Sequence, residues 1–243
     1  MAIFSSPLLL SVLLLTGSTE VLGHRHGITS PSLQNVLAQP SIALNNVPQT
    51  VREHWVRRAN AALVEAGQPC MFAAFASVIV NHTASDAGEL VCTGINSTKM
   101  KGDPTLHGEI AAIQNCTAIL TDPMGPYNLT GTQAIAAFAD LTLYTNAESC
   151  PMCASAIRWA GFREYVYGTS IATLIEQGWG QIRIPSTDII RESADLPNSV
   201  RMLGGVLETE TDPLFSWQFD PSAPCPQGCA RPAEGGSCVA PSL

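Results

Sequence analysis

Apolar residues recur at near-helical spacing over residues 51–66 (VREHWVRRANAALVEA), and Gly67 supplies a stop, so this stretch predicts a helix. Residues 72–80 (FAAFASVIV) form an apolar run of strand length. Residues 81–88 (NHTASDAG) read as a turn and 89–93 (ELVCT) as the returning strand of a hairpin. Asp103 and Pro104 offer N-cap and first-turn signals for a second helix continuing through HGEIAAIQNCTAIL. Residues 121–133 carry Pro and Gly pairs and predict a loop, and 141–145 (LTLYT) predict a strand. Ser149 fits as the N-cap of a helix over 150–160 (CPMCASAIRWA). A strand over 164–168 (EYVYG), a helix near 171–177 and a final strand or helix turn near 206–210 complete the pattern. Beyond Asp220 no period survives, and no segment repeats internally.

Strands alternating with helices predict an α/β domain whose largely parallel sheet is covered on both faces, made mixed by the opening hairpin. Residues 49–219 are read as that domain, 24–48 as an extended arm and 220–243 as a Cys/Pro/Gly-rich tail. Residues 7–15 (PLLLSVLLL) are too short to span a bilayer and fit the apolar core of a signal peptide over 1–23. No later stretch suits a membrane span. The N-x-S/T sequons at Asn81, Asn96, Asn115 and Asn128, together with eight Cys, suit a secreted glycoprotein with disulfides. Twelve Lys plus Arg against 20 Asp plus Glu give a net charge of -8, with no basic stripe, which argues against a polynucleotide substrate.

The chemistry concentrates in His107-Gly108-Glu109 and Cys150-Pro151-Met152-Cys153, each at a predicted helix start. One imidazole and two thiolates leave a fourth tetrahedral position for water, the pattern of a catalytic zinc site. Helix N-termini favour the two thiolates. Zinc lowers the pKa of water from about 15.7 to about 7, roughly 12 kcal/mol less to ionise it at neutral pH. Glu109, two residues from the imidazole, is poorly placed to share the metal and well placed to shuttle protons. Either half alone is ambiguous, since a CxxC also forms redox disulfides. The combination of H-x-E with C-x-x-C marks zinc deaminases.

These blocks, with FASVIV, GIN, DPTLHGE, LYTNAESCPMC and AIRWAGFREYVYG, make residues 72–170 resemble the cytidine and deoxycytidylate deaminase superfamily. The guanine deaminase and tRNA adenosine deaminase branch is the most similar. The resemblance implies a three-layer α/β/α fold around a mixed five-stranded sheet, a bound Zn2+ and a homodimer. It implies a base-reading role for Asn96 and a pocket near Phe75, Gly108 and Trp159, where the two aromatic rings stack on a base or serve as ordinary core. Ser149 stands where the family usually has Pro, and Gly108 where it usually has Ala. Asn96 cannot both read a base and carry a glycan, so it is expected to be unmodified.

The expected activity is hydrolytic deamination of a small nucleobase or nucleoside, first guanine to xanthine and ammonia. Deamination of tRNA or single-stranded nucleic acid is the alternative, and a secreted zinc-binding protein without turnover is the third reading. Six Cys remain outside the metal set, three in the domain and three in the tail. If all pair, parity requires at least one bridge from tail to domain.

Overall fold

The computed structural model describes residues 46–241. The signal-peptide reading and nearly all of the proposed arm lie outside them. Helix α1 (Gln49–Glu65) is followed by strands β1 (Ala76–Asn81) and β2 (Glu89–Ile95), a short helix α2 (Thr98–Lys101) and helix α3 (Gly108–Thr121). Next come α4 (Gly131–Ala137), β3 (Leu141–Ala147), α5 (Pro151–Ala160), β4 (Glu164–Thr169), α6 (Ile171–Glu176) and α7 (Ser186–Glu192). Strand β5 (Arg201–Leu203) and two single-turn helices, α8 (Glu208–Thr211) and α9 (Pro213–Ser216), close the domain.

The sheet has five strands in the order β2-β1-β3-β4-β5. Strand β1 pairs antiparallel with both β2 and β3, whereas β3–β4 and β4–β5 are parallel. The sheet is therefore mixed, but only half parallel rather than largely so. β2 and β3 do run the same way, as a crossover through α3 requires. β1 lies between them, so each meets an opposed neighbour.

Period-two alternation splits the strands between two core layers. Val78, Val80, Tyr144 and Val166 face α1 through Trp55, Val56 and Ala59. Ile79, Leu143, Tyr165 and Tyr167 face the opposite side, against Ala112, Cys116 and Leu120 of α3 and Ile157 of α5. Helices thus cover both faces of the sheet. A Cβ on Gly94 of β2 would fall on the backbone of Ala112, so glycine there lets α3 lie close to the sheet.

Three local expectations are corrected. Asp103 does not cap α3. Its carboxylate accepts from the Thr105 N–H at 2.8 Å and from the Thr105 hydroxyl at 2.6 Å, closing a turn that ends before the helix. Cys150, not Ser149, is the N-cap of α5. The predicted 121–133 loop ends early, because Thr130 and Gln133 form a reciprocal capping box that starts α4. Near 206–210, the Val206 N–H still bonds Tyr167 O at 3.0 Å, and the chain then turns into α8.

All six non-ligand cysteines pair: Cys70–Cys229, Cys92–Cys116 and Cys225–Cys238. The first is the tail-to-domain bridge that parity demanded. The tail is also knitted by Arg231, whose guanidinium donates to the carbonyls of Trp217, Asp220, Ala223 and Gly236.

Candidate active site

Two helix starts converge at the carboxyl end of β3. His107 is the N-cap residue of α3, in extended conformation, so its side chain leaves the helix and stands at its mouth. Glu109 lies in the first turn and is buried. Cys150 is the N-cap of α5, Pro151 takes the first helical position where no N–H is needed, and Cys153 is buried one turn in. The ligand atoms of His107, Cys150 and Cys153 all lie within 4.8 Å of one another. Cys150 Sγ is 3.6 Å from His107 Nδ1. Tetrahedral zinc with ordinary Zn–S and Zn–N bonds puts such a pair about 3.6 Å apart, so the donor set fits the ion.

The electrostatics favour a cation. The Cys150 thiol is pulled down to about 4, chiefly by the hydrogen bond that Cys153 donates and then by His107. Cys153, holding the proton of that bond, is pushed up. His107 is raised by its hydrogen bond to Cys150. Two thiols crowd one proton here, and a divalent ion relieves that by taking both as thiolates. Glu109 is raised, mainly by burial, which suits a carboxyl that must take up and return a proton.

The remaining expected residues separate. Asn96 and Gly108 adjoin the site through Phe75. The Asn96 N–H donates to Phe75 O at 2.8 Å, and a Cβ on Gly108 would come within 3.0 Å of that same carbonyl. A side chain at Gly108 would require that carbonyl to shift by a few tenths of an ångström. The Asn96 side-chain oxygen accepts from the Thr98 N–H at 3.1 Å and hydroxyl at 2.9 Å. Phe75 stacks on Phe215 with centroids 4.9 Å apart and meets Trp179 edge-on at 5.1 Å. Its ring therefore belongs to an aromatic cluster that also takes in Phe72, Trp217 and Phe219. Trp159 is neither core nor part of this cluster, being 75% exposed on α5. It lies six residues past Cys153, roughly 240° around the helix, so the turn that buries the thiol points the indole outward.

Sequence reasoning missed Asn146 and Glu148. Asn146 accepts from the Ala76 N–H at 3.0 Å and donates to Ala74 O at 2.8 Å, bracing the segment that carries Phe75. Glu148, two residues before Cys150, is buried. The signal available was an amide and a carboxylate, Asn146 and Glu148, within four residues before a metal half-site.

A fold with helices on both faces of a mixed sheet, and an imidazole and two thiols beside a buried carboxylate, define an aminohydrolase of the zinc-dependent deaminase class. The model of the cytidine and deoxycytidylate deaminase zinc-binding region matches residues 49–169, and the chain carries a domain of that family. Guanine deaminase of Bacillus subtilis is 28% identical over 166 residues, 68% of this chain and 91% of that protein. The tRNA-specific adenosine deaminase of Haemophilus influenzae is 32% identical over 85 residues, covering 35% of this chain and 42% of that one. The crystal structure of NE0047 in complex with 2,6-diaminopurine superposes with TM-score 0.51 at 20% identity, covering 68% of this chain and 79% of that one, and shares the fold.

Proposed function

We propose that the chain hydrolytically deaminates a small free nucleobase or nucleoside, with guanine to xanthine and ammonia as the first candidate. The observation that carries this is the His107, Cys150 and Cys153 group beside the buried carboxyl of Glu109. Similarity to a guanine deaminase over 91% of that protein's length supports the purine choice.

His107, Cys150 and Cys153 would hold zinc, which supplies an acidified water when bound. Glu109 would pass one proton from the water to the ring nitrogen next to the carbon losing its amine, then carry the second, from the hydroxyl left on that carbon, to the departing nitrogen as the C–N bond breaks and the C=O forms. Base plus water becomes the oxo base plus ammonia. Asn96 is carried over from the family resemblance as the base-reading residue, and its N–H bond to Phe75 O, the carbonyl that Gly108 also approaches, supports that reading. A net charge of -8 suits a small substrate better than a polyanion.

The test is ammonia release from a panel of purine and pyrimidine bases and nucleosides, with zinc measured in parallel. Turnover of at least one purine is expected, lost by more than about 100-fold in Glu109→Ala while zinc stays bound. Full rate in that variant refutes the proton shuttle. Turnover of tRNA or single-stranded DNA alone would favour the second reading, for which the Haemophilus relative speaks. Bound zinc with no turnover on any substrate would leave a binding protein. We also propose export, glycosylation and homodimer formation, supported by the apolar 7–15 segment, the four sequons and the family resemblance.

A further inference from the structure

Glu148 directly follows β3 and is separated from Cys150 only by Ser149. Its backbone N–H donates to Thr169 O at 2.7 Å. Its carboxylate accepts three hydrogen bonds, from the Ile171 N–H at 2.8 Å, the Ser186 N–H at 2.8 Å and the Ser186 hydroxyl at 2.7 Å. Ile171 and Ser186 are the first residues of α6 and α7. One buried carboxylate thus holds the starts of two helices, and the segment between them carries Trp179, which packs on Phe75. On the other side of the peptide, the Ser149 N–H donates to the Tyr165 hydroxyl oxygen at 2.6 Å. The 148–150 stretch is therefore fixed at both its side chain and its backbone just before the Cys150 ligand.

We infer that Glu148 is a positioning residue for the metal site: it ties the thiolate-bearing loop to α6 and α7, so that Cys150 and Cys153 keep their spacing from His107. The inference rests on the reading that this site holds zinc. Only a group with two acceptor oxygens satisfies all three donors. Glutamine replaces one oxygen with an NH2 that must face an N–H or hydroxyl, so the clamp opens although the volume is unchanged.

The experiment compares the full chain with Glu148→Gln and Ser186→Ala. Zinc affinity is measured by chelator competition, the cobalt-substituted protein by its thiolate-to-cobalt absorption bands, and folding by circular dichroism. Glu148→Gln is expected to keep its fold, to bind zinc about 10- to 100-fold more weakly and to show altered cobalt bands. Ser186→Ala, which removes one of the three bonds, should weaken binding measurably but less, by about 2- to 10-fold. A folded Glu148→Gln with unchanged affinity and bands overturns the inference. If Glu148→Gln does not fold, unchanged affinity and bands in Ser186→Ala overturn it instead. A native chain that binds no zinc would overturn the metal reading and this inference together, and so is distinguishable from failure of the clamp alone.

Discussion

Replacing Cys92 and Cys116 together with alanine cuts the bridge between β2 and α3, whose N-terminus presents His107 and Glu109. Both sulfurs are buried in the layer formed by Ile79, Leu120 and Leu143. The bridge spans a separation of 24 residues, and a loop of that size constrains the unfolded chain by roughly 3 kcal/mol. Removing two buried sulfurs adds a cavity cost of about 1 kcal/mol. The expected loss is about 4 kcal/mol, a large share of the roughly 5–15 kcal/mol that holds a domain together. Urea unfolding followed by tryptophan fluorescence measures it. The Cys70–Cys229 bridge spans 159 residues and by chain entropy alone is worth more, roughly 5 kcal/mol. Its far end lies in the tail beyond the last sheet strand, so without the bridge the tail is expected to detach before the sheet unfolds. The Cys70→Ala/Cys229→Ala pair should therefore cost less in global unfolding, and its signature should be early proteolysis after Asp220. A loss below about 1 kcal/mol for the Cys92/Cys116 pair, or a larger loss for the tail pair, would refute this reasoning.

Arg52 and Glu164 form a fully buried ion pair at 2.7 Å. Arg52→Met should cost about 3–5 kcal/mol in chemical denaturation, and Arg52→Met with Glu164→Leu distinctly less, because the single change strands a carboxylate. His82 is buried against Tyr144 at 2.9 Å, and burial lowers its pKa below the usual 6.5. Below that value the unfolded chain binds a proton that the folded chain refuses, so stability should fall as pH drops through about 6.5. His82→Gln should flatten the decline between pH 7 and 5, and an unchanged profile would rule His82 out. Expressed through a eukaryotic secretory pathway, the chain should carry a glycan on exposed Asn128 and none on Asn96, whose side chain is held by Thr98. Peptide mass spectrometry decides, and a glycan on Asn96 removes it from the base pocket.

Residues that act through local period or near neighbours were legible in the chain alone. The alternation in β3 and β4, the α1 stripe and the H-x-E and C-x-x-C blocks each announce themselves within a few positions, because a helix turn or a strand pleat imposes its spacing on whichever residues must be buried. Given that all six cysteines pair, counting them sufficed to require a tail bridge, since parity does not depend on shape. Helix α4 was also legible in principle, through Thr130 and Gln133, but the surrounding Pro and Gly masked it.

What only the tertiary structure decided is which elements become neighbours. The placement of β1 between β2 and β3 sets the sheet's direction, and no periodicity encodes it. Strand β5 is three residues long, too short to show a pattern before it pairs with β4. Glu148 finds its partners 23 and 38 residues away, and Cys150 meets His107 across 43. Trp159 faces outward because the helix phase is set by Cys153. Side-chain chemistry and local spacing are written residue by residue. Convergence across the sheet arises only once burial of both its faces has selected one packing among many that satisfy the same local rules.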